Sequence, residues 1–200
     1  MLTRTSVHWH GLLQKGTGAM DGVPGITQCP IPPGHSFTYR FRATTYGTTW
    51  YHSHFSLQYS EGLVGPLLIN GPTSADWDVD LGAVILQDWY HTPVFDLWFK
   101  ERQSPGVPAD NSLINGKNKN GSVGEYSEFK FQKGKKYRMR IVNTSTDQHF
   151  KFSIDNHVMT VQQADFVPIV PYTQTVLSIA IGTLTFRVGL IFRSTIRRHI

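Results

Sequence analysis

The sequence predicts an all-β, sandwich-like protein. Ten short runs are rich in Val, Ile, Thr and aromatic residues and are bounded by Gly, Pro, Asn or Asp, as strands typically are. No window keeps an apolar period of 3.6 residues over the length of a long helix, although residues 92–101 are expected to form one short helical turn. The predicted strands are, in order, residues 6–12, 36–42, 48–54, 62–70, 83–88, 125–131, 136–142, 149–154, 157–163 and 175–181.

The strand pattern divides the chain into two blocks. Residues 71–74, Gly-Pro-Thr-Ser, follow the first four runs and have the composition of an inter-domain linker. We therefore expect a first domain over residues 1–71 and a second over residues 76–182, with a loop-rich connection over residues 103–124 inside the second. The short runs and the absence of internal repeats favour packed sheets in both blocks.

The composition excludes several classes of protein. The 200 residues are 40% hydrophobic and 12% aromatic, which excludes a disordered chain. Cys29 is the only cysteine, so no disulfide forms within the chain. The most apolar stretch, residues 176–190, contains Arg187 and is shorter than the roughly 20 apolar residues of a membrane-spanning helix. We expect no membrane partner, and the first residues show no secretory leader.

The net charge of +5 is unevenly distributed. Residues 183–200 hold four arginines and no acidic residue, which leaves the rest of the chain nearly neutral. A basic surface for phosphate therefore has no support outside these last residues, and we expect no nucleic-acid partner.

Two histidine pairs carry the candidate chemistry. His8 and His10 flank Trp9, and His52 and His54 flank Ser53. In a strand, residues two apart point to the same face, about 7 Å apart along the chain. If the two strands are neighbours, four imidazoles converge on one small volume. Neutral imidazoles suit copper, zinc or iron, and a buried cluster of them is costly without a metal.

An alternative remains for each pair: one buried, hydrogen-bonded histidine beside one exposed histidine. Composition does not choose the metal either. The tryptophan between the first two histidines, Trp9, is expected to face away from them and to pack in the core. Trp50 and Tyr51 are interpreted as packing residues that stiffen the strand carrying His52 and His54.

The surrounding residues resemble the copper signatures of fungal laccases, which belong to the multicopper oxidases. The resemblance extends over about residues 4–182. The matching segments are Ser6-Val-His-Trp-His-Gly-Leu12, Asp21-Gly22, Thr27-Gln-Cys-Pro-Ile31, Gly47-Thr-Thr-Trp-Tyr-His-Ser-His54, Gln58, Gly62-Leu-Val-Gly-Pro-Leu-Leu-Ile69, Asp88-Trp-Tyr-His91, Leu113-Ile-Asn-Gly-Lys117, Arg138-Met-Arg-Ile-Val-Asn143 and Phe166-Val-Pro168.

The resemblance implies a cupredoxin-like Greek-key β-sandwich, with one nearly complete domain and part of a second. It implies that His8 binds a type 2 copper, that His10 and His52 bind one type 3 copper, and that His54 binds the other. The family reduces dioxygen with electrons taken from phenolic small molecules at a type 1 copper, and its members are extracellular. Asp155 lies near where some laccases carry an acidic residue that contacts the substrate.

Other features depart from the family pattern. The late motifs that complete the cluster and form the type 1 site do not occur, so this chain offers a half-site and is expected to be inactive alone. Cys29 occupies the position of a thiol that pairs with the far end of such enzymes. The chain begins in mid-strand, and residues 183–200 are unfamiliar. We therefore expect a truncated fragment whose basic tail arises from a retained intron or frameshift in the gene model, with a genuine basic arm as the alternative.

Two further hypotheses stay open. The chain could instead be a non-catalytic copper-binding or interaction module that uses the same four histidines. It could also be a zinc hydrolase, although that reaction needs an acid or base beside the histidines, which the motifs do not supply.

Two sequons for asparagine-linked glycans, at Asn120 and Asn143, predict glycosylation only if the protein is secreted.

Overall fold

The computed structural model describes residues 4–104, 106–182, 186–191 and 196–199, and most of its regular elements are strands, which confirms the all-β prediction. The strands are β1 Val7–Trp9, β2 Gly47–Ser53, β3 Val64–Ile69, β4 Val79–Trp89, β5 Asn111–Ile114, β6 Lys119–Asn120, β7 Val123–Gly124, β8 Glu128–Phe131, β9 Lys136–Asn143, β10 Phe150–Ser153, β11 Met159–Ala164, β12 Val167–Gln174, β13 Val176–Ile179, β14 Phe186–Ile191 and β15 Ile196–His199. The helix α1 spans Val94–Glu101, and Gly18–Met20 forms a 3-10 turn.

The first block forms a three-stranded antiparallel sheet in the order β1-β2-β3. Its central strand β2 is buried at almost every position, because both neighbouring strands and the second block cover it. The register places His8 directly opposite His52 and Trp9 opposite Tyr51. This pairing therefore brings the two histidine motifs side by side.

The second block is a sandwich. A six-stranded sheet in the order β12-β11-β14-β9-β4-β5 packs against two smaller pairs, β10 with β13 and β8 with β15. The core between them consists of alternate side chains from both layers, as in other β-sandwiches. Its buried members are Val84, Leu86, Phe129, Phe131, Tyr137, Met139, Ile141, Phe152, Ile154, Met159, Val161, Leu177 and Ile179.

Several sequence predictions differ from the observed strands, and the predicted loop-rich stretch 103–124 contains β5, β6 and β7. Residues 36–42 alternate as a strand would, yet they form no regular element and have no strand partner among the described residues. Strand β12 was not predicted because Pro168 and Pro171 interrupt it. Proline cannot donate to a ladder and is confined to edge strands, and β12 is indeed at the edge of its sheet. The predicted short helix is confirmed as α1.

Arg140 joins the two blocks. Its guanidinium is almost fully buried and donates to Asp80 in β4 and to the Thr48 hydroxyl in β2, at 2.9 Å in each case. A longer bond reaches the side-chain Oδ1 atom of Asn70 at 3.4 Å. Because one buried cation satisfies acceptors from both sheets, it fixes how the first sheet lies against the second.

The predicted domain limits, 1–71 and 76–182, and the proposal that residues 183–200 are foreign remain predictions. Strand β14 lies beyond the predicted limit and pairs with β11 and β9 inside the large sheet, while β15 pairs with β8. Residues 183–185, 192–195 and 200 of that tail lie outside the described residues. Among the residues that the structure describes, no helix is long and apolar enough to span a bilayer.

Candidate metal centre

The four predicted histidines come together at one end of the first sheet. The ring of His8 lies with its centroid 5.3 Å from that of His52 and 5.3 Å from that of His54. The rings of His10 and His52 are 5.5 Å apart. One nitrogen from each of His8, His10 and His52 lies within 4.8 Å of the others. The structure thus places the pairs in one cluster, while the assignment of each histidine as a ligand remains a prediction.

Backbone carbonyls orient two of the rings. The Nδ1 atom of His8 is 2.7 Å from the carbonyl oxygen of Asp21, and Nδ1 of His52 is 2.9 Å from the carbonyl oxygen of Ser53. A carbonyl only accepts, so in the neutral ring each Nδ1 carries the proton and donates. The lone pair is therefore left on Nε2, the atom free to bind a metal, which is how an outer partner selects the ligating nitrogen.

His10 approaches the cluster through its Nδ1 atom. Its Nδ1 lies 3.3 Å from Nε2 of His52. Two imidazole nitrogens that bind one ion at about 2.0 Å, with a near-tetrahedral angle between them, stand roughly 3.3 Å apart. The spacing of this pair is that of an N–H···N hydrogen bond and also fits a single shared ion, and imidazole donors suit copper, zinc or iron.

Aromatic side chains form one wall of the cluster. Trp50 is buried and stacks on His10 at 4.8 Å between ring centroids, and it lies 4.3 Å from His52. Tyr59 lies 5.4 Å from His52 on the same side. Trp50 is a buried packing residue of the strand that carries His52, as the sequence predicted, and because it lies two positions before His52 in that strand it shares the same face. The alternation rule contained this signal.

Trp9 lies on the opposite face, as expected. Its ring packs against Tyr39, Phe41 and Tyr51, and its Nε1 donates to the carbonyl oxygen of Met20 at 3.1 Å. The side chain is half-buried. These contacts fasten β1 to residues 20–41, and so they hold the strand that carries His8 and His10.

Burial keeps two of the histidines neutral. Desolvation, reinforced by the neighbouring imidazoles, lowers the pKa of His10 from 6.5 to about 4. Desolvation likewise lowers the pKa of His52 from 6.5 to about 4, although the Ser53 carbonyl partly opposes this shift. Only the neutral imidazole binds a metal, so both rings are available as ligands at neutral pH.

We expect the copper-free chain to lose stability as the pH falls from about 6.5 towards about 4. In this window the unfolded histidines take up protons while His10 and His52 in the folded state resist, so protonation favours unfolding. Urea unfolding midpoints measured across the window check this. The double variant His10→Gln, His52→Gln should flatten the decline, and an equally steep decline in that variant would contradict the assignment.

The other predicted site residues lie apart from this group. Asp155 is exposed in the turn between β10 and β11, where it borders a surface pocket with Asn156 and His157. Cys29 is exposed with a free thiol. Sequence reasoning missed the second block's contribution: the Asp165 carboxylate acts electrostatically on His10, and Gly182 lies beside its ring.

The three-stranded sheet of the first block, the sandwich of the second and the histidine cluster define a cupredoxin-like protein with a candidate metal site. The multicopper oxidase family models match residues 1–74 and 81–188. The chain therefore belongs to the multicopper oxidase family.

Relatives give the same result. Laccase-2 of Botryotinia fuckeliana is 54% identical over 188 residues, which covers 89% of this chain and 32% of that protein. Dihydrogeodin oxidase of Aspergillus terreus is 53% identical over 190 residues and is covered to 31%. The crystal structure of laccase from Botrytis aclada superposes with a TM-score of 0.92 at 48% identity, covering 98% of this chain and 38% of that one. The chain thus spans about a third of the length of the relatives it matches.

Proposed function

We propose that this chain supplies the first histidine wall of the copper centre of a laccase-type oxidase. The complete enzyme would oxidise phenolic donors and reduce dioxygen to water. The observation that carries the proposal is the 3.3 Å spacing of His10 Nδ1 and His52 Nε2, with a nitrogen of His8 within 4.8 Å of both. That spacing supports one ion shared by two imidazoles and a second site beside it.

The family resemblance and the ring orientations together support individual roles. His8 would bind the type 2 copper through Nε2, since its Nδ1 donates to Asp21. His10 and His52 would share one type 3 copper. His54, whose exposed ring faces His8 and His52, would bind the other type 3 copper.

Copper at this centre would accept electrons and pass them to dioxygen. The chain's own residues bind and position it. Carbonyls of Asp21 and Ser53 hold two rings in the ligating orientation, and Trp50 excludes water from the buried side of the pair. Outer partners of this kind are worth roughly 10- to 100-fold in metal affinity.

Turnover requires parts that this sequence does not carry. Electron entry in the family needs a type 1 copper bound by cysteine and histidine, and the resemblance places the only cysteine here, Cys29, at the position of a disulfide partner instead. We therefore propose copper uptake without catalysis by the chain alone. The proposal includes Asp155 as a substrate contact in the complete enzyme, and an extracellular, glycosylated protein.

Titration of the purified chain with copper should show saturable uptake and no oxygen consumption above that of free copper with a phenol. His52→Ala should weaken uptake by more than the roughly 100-fold that loss of an outer partner costs. His35→Ala, which removes an exposed histidine outside the cluster, is the matched control. Equal uptake by the two variants would contradict the site.

A chimera separates the oxidase from a non-catalytic copper-binding module. In it, this chain replaces the matching third of Laccase-2 from Botryotinia fuckeliana. We expect the chimera to consume oxygen with a phenol, and the same chimera with His52→Ala to lose at least about 100-fold of that rate, by the same reasoning on ligand loss. A folded, copper-loaded chimera without oxidation would favour the binding module instead.

A further inference from the structure

The two sequons of this chain lie in contrasting surroundings. Asn120 is exposed and ends β6, which pairs only with β7 in a short hairpin of two-residue strands. Asn143 ends β9, in which every residue after the first is buried, and has no exposed surface. The same tripeptide pattern therefore meets solvent at one position and the protein interior at the other.

Asn143 has every polar atom of its carboxamide engaged. Its Nδ2 donates to the carbonyl oxygens of Gln148 at 2.8 Å and Ile179 at 3.0 Å, and its Oδ1 accepts from the backbone N–H of Ser145 at 2.9 Å. The Ser145 hydroxyl is itself buried and accepts from the N–H of Asp88. A sugar on Nδ2 would remove one of these donors and fill space that the core already occupies.

Asn120 has the opposite geometry. Its sequon continues through Gly121, whose φ of +61° at the first loop position is typical of a tight hairpin turn, and the exposed Ser122. The Asn120 side chain borders an open groove of about 740 Å³. Its cross-strand partner, Val123, is 72% exposed and therefore leaves apolar surface open beside Asn120.

We propose that Asn120 is the acceptor of an asparagine-linked oligosaccharide in this chain and that Asn143 is a structural residue which carries none in the folded protein. The Asn120 amide nitrogen forms a bond to the anomeric carbon of N-acetylglucosamine. The donor is a lipid-pyrophosphate oligosaccharide, whose glycosyl C–O bond breaks and whose lipid pyrophosphate leaves, while the amide gives up one proton. The first sugar then lies over Val123, because directly paired residues share one face of the hairpin.

This inference rests on the extracellular location within the proposed function. Secreting the full chain from yeast behind a cleavable leader tests it, with glycopeptides mapped in the secreted and the cell-retained pools. We expect glycan on Asn120 in both pools and none on Asn143 in the secreted pool. Ser122→Ala, which leaves Asn120 in place, should abolish the modification, and Ser122→Thr should preserve it.

Two results would overturn the proposal: an unmodified Asn120 in both pools of the parent chain and of Ser122→Thr, or a glycan on Asn143 in the secreted protein. Copper uptake is measured separately on unglycosylated chain made in bacteria. Failure of the glycan assignment and failure of the copper site are therefore distinguishable.

Discussion

Gly22→Ala is expected to displace the Asp21 carbonyl that orients the His8 ring and to lower the free energy of unfolding by several kcal/mol. Gly22 is buried, has a φ of +82°, and presses against β1 so closely that an added Cβ would overlap the backbone carbonyl of Val7. Left-handed backbone costs a residue with a Cβ about 1–2 kcal/mol. Overlap with immobile backbone adds about 1–3 kcal/mol.

The copper affinity of Gly22→Ala should fall together with its stability. Asp21, whose carbonyl orients the His8 ring, precedes Gly22 directly, so moving Gly22 away from β1 removes that carbonyl from Nδ1. Loss of such an outer partner predicts a decrease of roughly 10- to 100-fold in copper affinity. Urea unfolding and calorimetric copper titration measure the two effects.

Gly25→Ala is the matched control. Gly25 has a similar φ of +79°, but an added Cβ would meet nothing within 4 Å. It should therefore cost only the backbone strain of about 1–2 kcal/mol and leave copper affinity unchanged. Equal losses in the two alanine variants would show that conformational strain alone, and not contact with β1, accounts for the effect at Gly22.

Asp80→Asn should destabilise the chain by about 3 kcal/mol, the lower end of the range for breaking a buried ion pair. The carboxylate pairs with Arg138 and with Arg140, whose side chains are only 6% and 1% exposed, while Asp80 itself is 29% exposed. Removing its charge leaves two buried guanidinium groups without a counter-ion. Partial access of water to Asp80 keeps the loss below the upper end of that range.

The pH dependence supplies a second measurement. Partial burial alone would raise the pKa of Asp80, but the bonds from both arginines outweigh it and lower the pKa from 3.8 to about 2. The stabilisation is therefore present above pH 3.8 and is lost as the pH falls through about 2. The free energy of unfolding of Asp80→Asn should therefore lack this decline between pH 3.8 and about 2. Asp76→Asn removes an exposed carboxylate four positions earlier and should change little.

The strands that sequence reasoning located are those with uninterrupted alternation or apolar runs. Strand β2 was predicted within one residue, because its β-branched and aromatic residues lie between clear turn residues. Strand β5 was missed because Asn111 and Ser112 give it the composition of a loop. Residues 36–42 were predicted as a strand but form none. Their alternation of apolar and polar residues suits strand pairing, but a strand forms only where a second strand pairs with it.

The candidate site was predictable in its parts. The i, i+2 spacing of each histidine pair fixes which side chains share a face, since that follows from backbone geometry alone. That rule applied to β2 would also have placed Trp50 beside His52. Which nitrogen of each ring stays free was not predictable, because it depends on carbonyl groups that other segments bring to the rings, such as that of Asp21.

The amino-acid order by itself determined the strand-rich class, the facing of the paired imidazoles and the family motifs, all of which depend on local periodicity and residue type. Only the tertiary structure decided that β1 and β2 are neighbours, that His10 and His52 stand 3.3 Å apart, and that Asn143 is buried while Asn120 is exposed. Pairing, burial and ring orientation arise from contacts between residues distant in sequence. Periodicity along one segment carries no information about them.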